Sequence, residues 1–107
     1  MARIVSVASD LMLASRVDAM LTAAGHHVIL ARSLEEASLD GAELIVADLE
    51  VESSEALAGL GVPVLGYYSH VDVATRQAAV DAGIGLVVPR SRMARELPAL
   101  AEQLLAG

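Results

Sequence analysis

The residues best suited to chemistry follow the apolar segments that the sequence predicts to be β-strands. Asp48 ends the apolar run 44–47, while Ser9-Asp10 and Arg90 follow two other short apolar runs, and a fourth run ends in Tyr68-Ser69-His70. The carboxyl ends of parallel strands meet at one edge of a sheet, so we expect these side chains to converge there. Carboxylates there could bind a divalent cation, a histidine could act as a general base, and an arginine could bind an anion.

The segments that must position these residues alternate between strand and helix patterns. Apolar runs predict strands over 4–7, 27–31, 42–48, 62–68 and 86–88. Helical spacing predicts helices over 11–24 and 73–82, a short helix between Glu50 and Gly61, and a last helix whose first turn contains Pro98. Ser33 and Glu36 form a capping-box pattern that predicts a further short helix before Asp40-Gly41, and Ser91 predicts one isolated turn. Five strands alternating with helices predict an α/β sandwich with a parallel sheet.

Composition narrows the classes of partner and the compartment. The chain has 107 residues, which predicts a single domain over 1–107, and its formal net charge is −7. An acidic chain with two aromatic residues is a poor ligand for nucleic acid. It contains no cysteine and no apolar run near the roughly 18 residues that cross a bilayer. Because the N-terminus leads directly into a strand pattern, we expect a cytoplasmic protein that does not bind membranes.

The order of these segments resembles the receiver domain of bacterial response regulators, whose fold is flavodoxin-like. The resemblance covers almost the whole chain and rests on residues 42–49, on Val62-Pro63-Val64, and on Asp81-Ala82-Gly83 followed by the fifth strand. It implies a three-layer sandwich around a five-stranded parallel sheet. The connection between Asp48 and Pro63 is shorter than the family's usual one, so we expect a shortened third helix.

The resemblance also implies roles for the residues at the strand ends. Asp48 occupies the place of the aspartate that accepts a phosphoryl group in that family. Where the family has an acidic pair that holds Mg²⁺, this chain has Ala8 and Ser9. Tyr68 stands at the position of a serine or threonine, with Ser69 one residue late, and Arg90 at the position of a lysine.

These departures indicate a degenerate receiver that lacks a metal site. Phosphoryl transfer to a carboxylate brings two negative groups together, and a divalent ion neutralises them. Without the acidic pair, Asp10 and Asp48 are the ligands that remain for Mg²⁺. We therefore expect no cofactor, and Mg²⁺ only if the chain is a working phosphoacceptor.

Each candidate residue also has a structural interpretation. Asp10, with Ser9, could cap the first helix, and Asp48 could form a permanent ion pair with Arg90 that holds the pocket in one state. Ser69 and Asp72 fit a capping box, which leaves His70 beside Asp48 as a general base or a contact point for a partner.

The arginine cluster near the C-terminus has two interpretations. Arg90, Arg92 and Arg95 could form a partner surface or simply a solvated helix start. The resemblance implies dimer or output contacts on the face formed by the fourth helix, the fifth strand and the last helix. Small side chains there, at Ala74, Ala78 and Val80, would let another surface approach closely.

The adjacent histidines and the methionines are interpreted as having structural rather than functional roles. His26 and His27 point to opposite faces of a strand, so they cannot easily share a metal ion and are interpreted as surface histidines. Three of the four methionines are interpreted as core residues; they are Met12, Met20 and Met93.

Three hypotheses for function follow. The first is a non-enzymatic pseudo-receiver, a signalling or regulatory module that binds another protein of unknown identity and forms a homodimer. The second is a working receiver that is phosphorylated on Asp48 with Mg²⁺. The third is a small flavodoxin-like enzyme or anion-binding protein that uses Asp48, His70 and Arg90; the absence of a glycine-rich loop after the first strand argues against a nucleotide ligand.

Overall fold

The fold alternates strands and helices along the chain. A computed structural model describes residues 1–69 and 73–107, so the predictions for His70 and Asp72 lie outside the described residues. The strands are β1 (Arg3–Val7), β2 (His27–Ala31), β3 (Leu44–Asp48), β4 (Val64–Tyr68) and β5 (Leu86–Pro89). The helices of the described ranges are α1 (Leu11–Ala23), α2 (Ser54–Ala58), α3 (Val73–Ala82) and α4 (Arg90–Ala106).

The five strands form one parallel sheet in the order β2-β1-β3-β4-β5. All five residues of β3 and of β4 are buried, whereas the edge strands β2 and β5 are partly exposed. This burial explains why the β3 segment 44–47 is continuously apolar: a central parallel strand is covered on both faces. The predicted five-stranded parallel sheet and α/β sandwich are confirmed.

Two apolar cores cover the two faces of the sheet, because successive residues of a strand point to opposite faces. The α1/α4 core contains Leu44 and Val46 of β3 together with Leu13, Val17 and Leu21 of α1 and Met93 and Leu97 of α4. The α2/α3 core contains Ile45 and Ala47 of β3 together with Leu57 of α2 and Ala79 of α3. Asp48 continues the first alternation, so its side chain leaves β3 on the side of α1 and α4.

The predicted helix after Ser33 is wrong, because residues 32–43 form turns instead. Ser33 Oγ does accept the Glu36 amide, at 3.4 Å, but the following backbone bonds are short-range ones from Ala37 to Leu34 and from Ala42 to Leu39. The Leu34 amide donates to Glu52 Oε1 at 2.8 Å, so the turn is tied to the loop after β3. The backbone bonds that follow Ser33 are those of isolated turns rather than of a continuing helix.

The predicted break in the last helix is also wrong. α4 runs without interruption from Arg90 to Ala106, with Pro98 inside it rather than in its first turn. Proline removes one helical hydrogen bond. Buried side chains on both sides of it keep the helix on the sheet; they are Met93, Leu97, Leu100 and Ala101. The expected short helix after β3 is confirmed, since α2 has five residues.

Several side chains are placed differently from the sequence prediction. Met12 is exposed rather than in the core, and so is Leu11, because α1 buries Leu13 and Ala14 in its first turns. Met20 is half-buried and Met93 is fully buried. His26 is buried rather than on the surface, whereas His27 is exposed. No helix within the described residues is long and apolar enough to cross a membrane.

Candidate site at the carboxyl edge of the sheet

Asp48 is a mostly buried carboxylate at the end of β3. Its side chain is 9% exposed, and its Oδ1 accepts the Glu50 amide at 2.9 Å, the Asx-turn bond of a residue that begins a loop. Burial raises the pKa of Asp48, and the negative charge of Glu50 adds to that rise. The Glu50 amide and the more distant charge of Arg90 oppose it. Asp48 is therefore a desolvated carboxylate, and within residues 1–69 and 73–107 no cationic side chain is paired directly with it.

Asp10 joins the first helix to the last. Its Oδ1 accepts the amides of Met12 and Leu13 at 3.0 and 3.2 Å, so Asp10 is the N-cap of α1. Its Oδ2 lies 2.6 Å from Nη2 of Arg90. The hydrogen bond from the Leu13 amide and the bond from Arg90 hold the pKa of Asp10 below its usual value. The capping interpretation of Asp10 is confirmed; Ser9, which was expected to share it, is exposed.

The predicted ion pair between Asp48 and Arg90 is therefore wrong. β5 ends at Pro89, so Arg90 is the first residue of α4, where its guanidinium reaches the N-cap of α1 across the sheet edge. Asp10 is the nearer carboxylate and is partly exposed, so pairing with it costs less desolvation than pairing with buried Asp48.

Tyr67, rather than Tyr68, lies on the same side of the sheet as Asp48. Tyr67 is paired in register with Asp48 on β3 and belongs to the α1/α4 core, whereas Tyr68 packs into the α2/α3 core. The Tyr67 hydroxyl is buried without a hydrogen-bond partner among the described residues. Burial and the negative charge of Asp48 raise its pKa well above the usual value. Tyr67 was not among the residues predicted for the site, although the alternation of side chains along β4 places it on the same face as Asp48.

Removing the Tyr67 hydroxyl should stabilise the fold. A buried hydroxyl that lacks a partner is desolvated without compensation, while phenylalanine keeps the ring in the α1/α4 core. We expect Tyr67→Phe to raise the free energy of unfolding by roughly 0.5 kcal/mol. Urea denaturation measures this, with Tyr68→Phe as the control on the other face. A lower stability of Tyr67→Phe would contradict the prediction and would indicate a water or ligand bound to the hydroxyl.

The loop after β3 ties together the neighbouring strand exits through acidic side chains that sequence analysis missed. Glu50 Oε1 accepts the Ser69 amide at 3.0 Å and also the Ser69 hydroxyl. Glu52 accepts the Leu34 amide from the other side. Ser69, which was predicted to contribute to the pocket, is thus engaged by Glu50. The alternation of acids at 48, 50 and 52 was the signal available in the sequence.

The described residues offer few side chains that could bind a metal ion at the carboxyl edge of the sheet. Among residues 1–69 and 73–107, no three histidine or acidic side chains are grouped closely enough to hold one. Asp10 and Asp48 are the predicted ligands, and in the structure Asp10 forms an ion pair with Arg90. The guanidinium of Arg90 therefore lies beside Asp10, one of the two carboxylates that were predicted to bind the metal ion.

The other two arginines of the predicted partner surface form bonds within their own helix. Arg92 Nε lies 3.4 Å from Glu96 Oε2, and Arg95 Nη2 lies 3.3 Å from the same oxygen. Both arginines are largely exposed, so these pairs contribute little to stability. Their charges remain accessible to a partner from solvent.

α3, which packs on the other face of the sheet from α4, is largely exposed. Of its ten residues, Ala79 is buried, while Val73 and Val80 are 72% and 48% exposed. Ala74 and Ala78, predicted to permit close approach, are exposed as well. α3 therefore has exposed apolar side chains available for contact with another protein.

Comparison with known structures shows that the chain has the receiver fold. It superposes on a response regulator receiver domain from Clostridium thermocellum with a TM-score of 0.85 and 13% identity, covering 99% of this chain and 95% of that one. The BeF3-activated N-terminal receiver domain of Klebsiella pneumoniae RstA gives 0.85 and 16%, covering 98% and 99%. NtrX from Brucella abortus, solved in complex with ADP, gives 0.86 and 20%, covering 98% of this chain and 26% of that one. The fold resemblance predicted from the sequence is confirmed.

The amino-acid sequence is much less similar to known proteins than the fold is. No protein-family model matches it, and a comparison with curated proteins finds no match. The solved structures above are at most 20% identical to the chain, so the likeness is one of fold.

Proposed function

We propose that this protein is a pseudo-receiver, a non-enzymatic signalling or regulatory module that acts by binding another protein. The receiver fold supports the signalling class. The observation that carries the proposal is the bond between Arg90 and Asp10, at 2.6 Å. Through this bond the positive charge of Arg90 lies beside Asp10, a carboxylate that a phosphoacceptor site would need for binding Mg²⁺.

The electrostatics of the site support this proposal. A phosphoryl donor that approached Asp48 would meet a buried carboxylate with Glu50 close by, and both are negatively charged. A divalent ion normally neutralises such an approach and requires oxygen ligands at short distance. The Arg90 guanidinium is bound to Asp10 rather than to Asp48, so it does not take the ion's place between Asp48 and a phosphoryl group.

A working receiver is the competing function, and Asp48 at the end of β3 favours it. Incubation with Mg²⁺ and acetyl phosphate, followed by intact-protein mass spectrometry, separates the two. We expect no added phosphoryl mass under conditions that phosphorylate a working receiver run in parallel. A phosphoryl adduct that disappears in Asp48→Asn would overturn the pseudo-receiver proposal in favour of the phosphoacceptor.

We further propose that the partner surface includes α3 and the start of α4, and that the protein forms a homodimer through it. The exposed Val73 and Val80 supply apolar area on α3, and Arg92 and Arg95 supply charge at the start of α4. Sedimentation equilibrium at high protein concentration tests the dimer. We expect Val80→Glu to shift the protein toward a monomer and exposed Leu30→Glu, on the opposite edge strand, to leave it unchanged. A wild-type monomer at all concentrations would overturn the dimer.

A further inference from the structure

A buried histidine lies at the amino end of the sheet, opposite the candidate site. The side chain of His26 is 3% exposed. Its Nδ1 accepts the amide of Ala2, at 3.1 Å, which ties the loop between α1 and β2 to the residue before β1. Its Nε2 lies 3.4 Å from Oε1 of Glu102 in α4, within ion-pairing distance but not aligned as a hydrogen bond.

This geometry determines which nitrogen carries the proton. A ring nitrogen that accepts an amide N–H must hold a lone pair, so Nδ1 is unprotonated and the neutral ring carries its hydrogen on Nε2. Adding a proton to the ring places it on Nδ1, which then faces the Ala2 amide donor to donor. The protonated ring cannot keep that hydrogen bond.

We propose that His26 is a proton-sensitive latch between β1 and α4. The neutral ring holds the Ala2 amide; the protonated ring releases it and pairs with the Glu102 carboxylate. Acidification thus exchanges a contact with the start of β1 for a contact with the last turns of α4, the helix whose first residue is Arg90. The latch is independent of whether Asp48 accepts a phosphoryl group.

The groups around the ring are consistent with such an exchange. From α4 the Glu102 carboxylate faces Nε2, and it is 68% exposed, so it can move toward a charged ring. The main chain of His26 donates to the Leu21 carbonyl of α1 at 3.0 Å, which holds the residue in place in both states. The charged groups on either side of Ala2 are the amino group of Met1 and the side chain of Arg3, whose backbone amide donates to Glu43 Oε1 at 3.1 Å. The adjacent His27 is exposed.

Nitrogen-15 NMR of the whole chain tests the latch directly. Above the His26 titration we expect the Nε2–H tautomer and a coupling across the hydrogen bond between the Ala2 amide nitrogen and His26 Nδ1. As the pH is lowered and the ring becomes protonated, this coupling should disappear, and the protection factor of the Ala2 amide (its exchange rate relative to the unfolded chain at the same pH) should fall in step with ring protonation. His27→Gln, the matched control, should behave as wild type, and the Ala2 amide of His26→Gln should not respond.

Three results would overturn the proposal. They are an Nδ1–H tautomer in the neutral ring, an Ala2 amide that is unchanged while His26 titrates, and a pH response of Ala2 that persists in His26→Gln. Should His26→Gln not fold, the wild-type protein and His27→Gln decide the matter, because the tautomer and the coupling are measured in both.

Discussion

Replacing Arg90 with alanine should give the protein an affinity for Mg²⁺ that the wild type lacks. In the wild type, a divalent ion between Asp10 and Asp48 would lie close to a guanidinium that is already 2.6 Å from Asp10. Two like unit charges about 4 Å apart repel by roughly 1 to 4 kcal/mol in a partly solvated site, and the double charge of Mg²⁺ doubles this repulsion, which corresponds to a factor of ten or more in affinity. Removing the guanidinium removes this repulsion and frees Asp10.

Arg90→Ala should remain folded, which makes the binding comparison meaningful. Both partners of the ion pair are partly exposed, with side-chain exposures of 36% and 45%, so its loss should have little effect on the stability of the fold. The hydrogen bond from the Leu13 amide, the largest influence on the pKa of Asp10, does not depend on Arg90. Asp10 therefore stays ionised and remains the N-cap of α1.

Isothermal titration calorimetry with Mg²⁺ measures the effect, and Arg92→Ala is the matched control. Arg92 is on the same helix but pairs with Glu96 rather than with the site. We expect an affinity for Arg90→Ala at least about tenfold tighter than for the wild type and for Arg92→Ala. Equal binding by all three proteins would show that Arg90 is not what excludes the metal.

Replacing Asp48 with asparagine should stabilise the protein at neutral pH. Burial raises the pKa of Asp48, so the carboxylate ionises less readily in the folded chain than in the unfolded one. A raised carboxyl pKa means that this group's favourable contribution is present below its ordinary value and is lost as the pH rises through the folded value. Asparagine has no ionisable group, so the Asp48→Asn protein does not lose this stability as the pH rises. Its Oδ1 can still accept the hydrogen bond from the Glu50 amide.

The pH profile of unfolding free energy distinguishes this charge effect from a packing effect. We expect Asp48→Asn to exceed the wild type by on the order of 1 kcal/mol at pH 7, because a desolvated charge is removed, with the advantage vanishing below about pH 4. Asp40→Asn, an exposed control in the loop before β3, should match the wild type at both pH values. A less stable Asp48→Asn at pH 7 would contradict the prediction and support an ionic lock through Asp48.

The sequence predicted the sheet because central parallel strands have a strong local signal. The runs 44–47 and 64–68 are apolar without alternation, and both lie in the middle of the sheet. The helix expected after Ser33 failed because a capping pattern reports only local preference. In the structure the segment forms turns that are tied to the loop after β3 by the hydrogen bond from the Leu34 amide to Glu52, a contact that the local sequence does not indicate.

The sequence predicted which residues lie at the site better than it predicted which of them contact one another. Asp10, Asp48 and Arg90 all lie at the carboxyl edge as expected, because parallel topology places every strand exit there. Which carboxylate Arg90 would choose depends on where α4 begins, and the sequence placed that helix's start near Pro98 rather than at Arg90. The burial of His26 was missed for a similar reason, since it is produced by α4 and by Ala2, both distant in the chain.

The most direct test of the pseudo-receiver proposal is an amide-resolved NMR titration of the wild-type protein with Mg²⁺, and then with Mg²⁺ and beryllium fluoride, a mimic of the phosphoryl group. The bond between Arg90 and Asp10 predicts no saturable shifts at Ser9, Asp10, Asp48 or Arg90 at millimolar metal, with or without the mimic. Saturable shifts centred on those residues would contradict it and would show that the site still binds metal and a phosphoryl group.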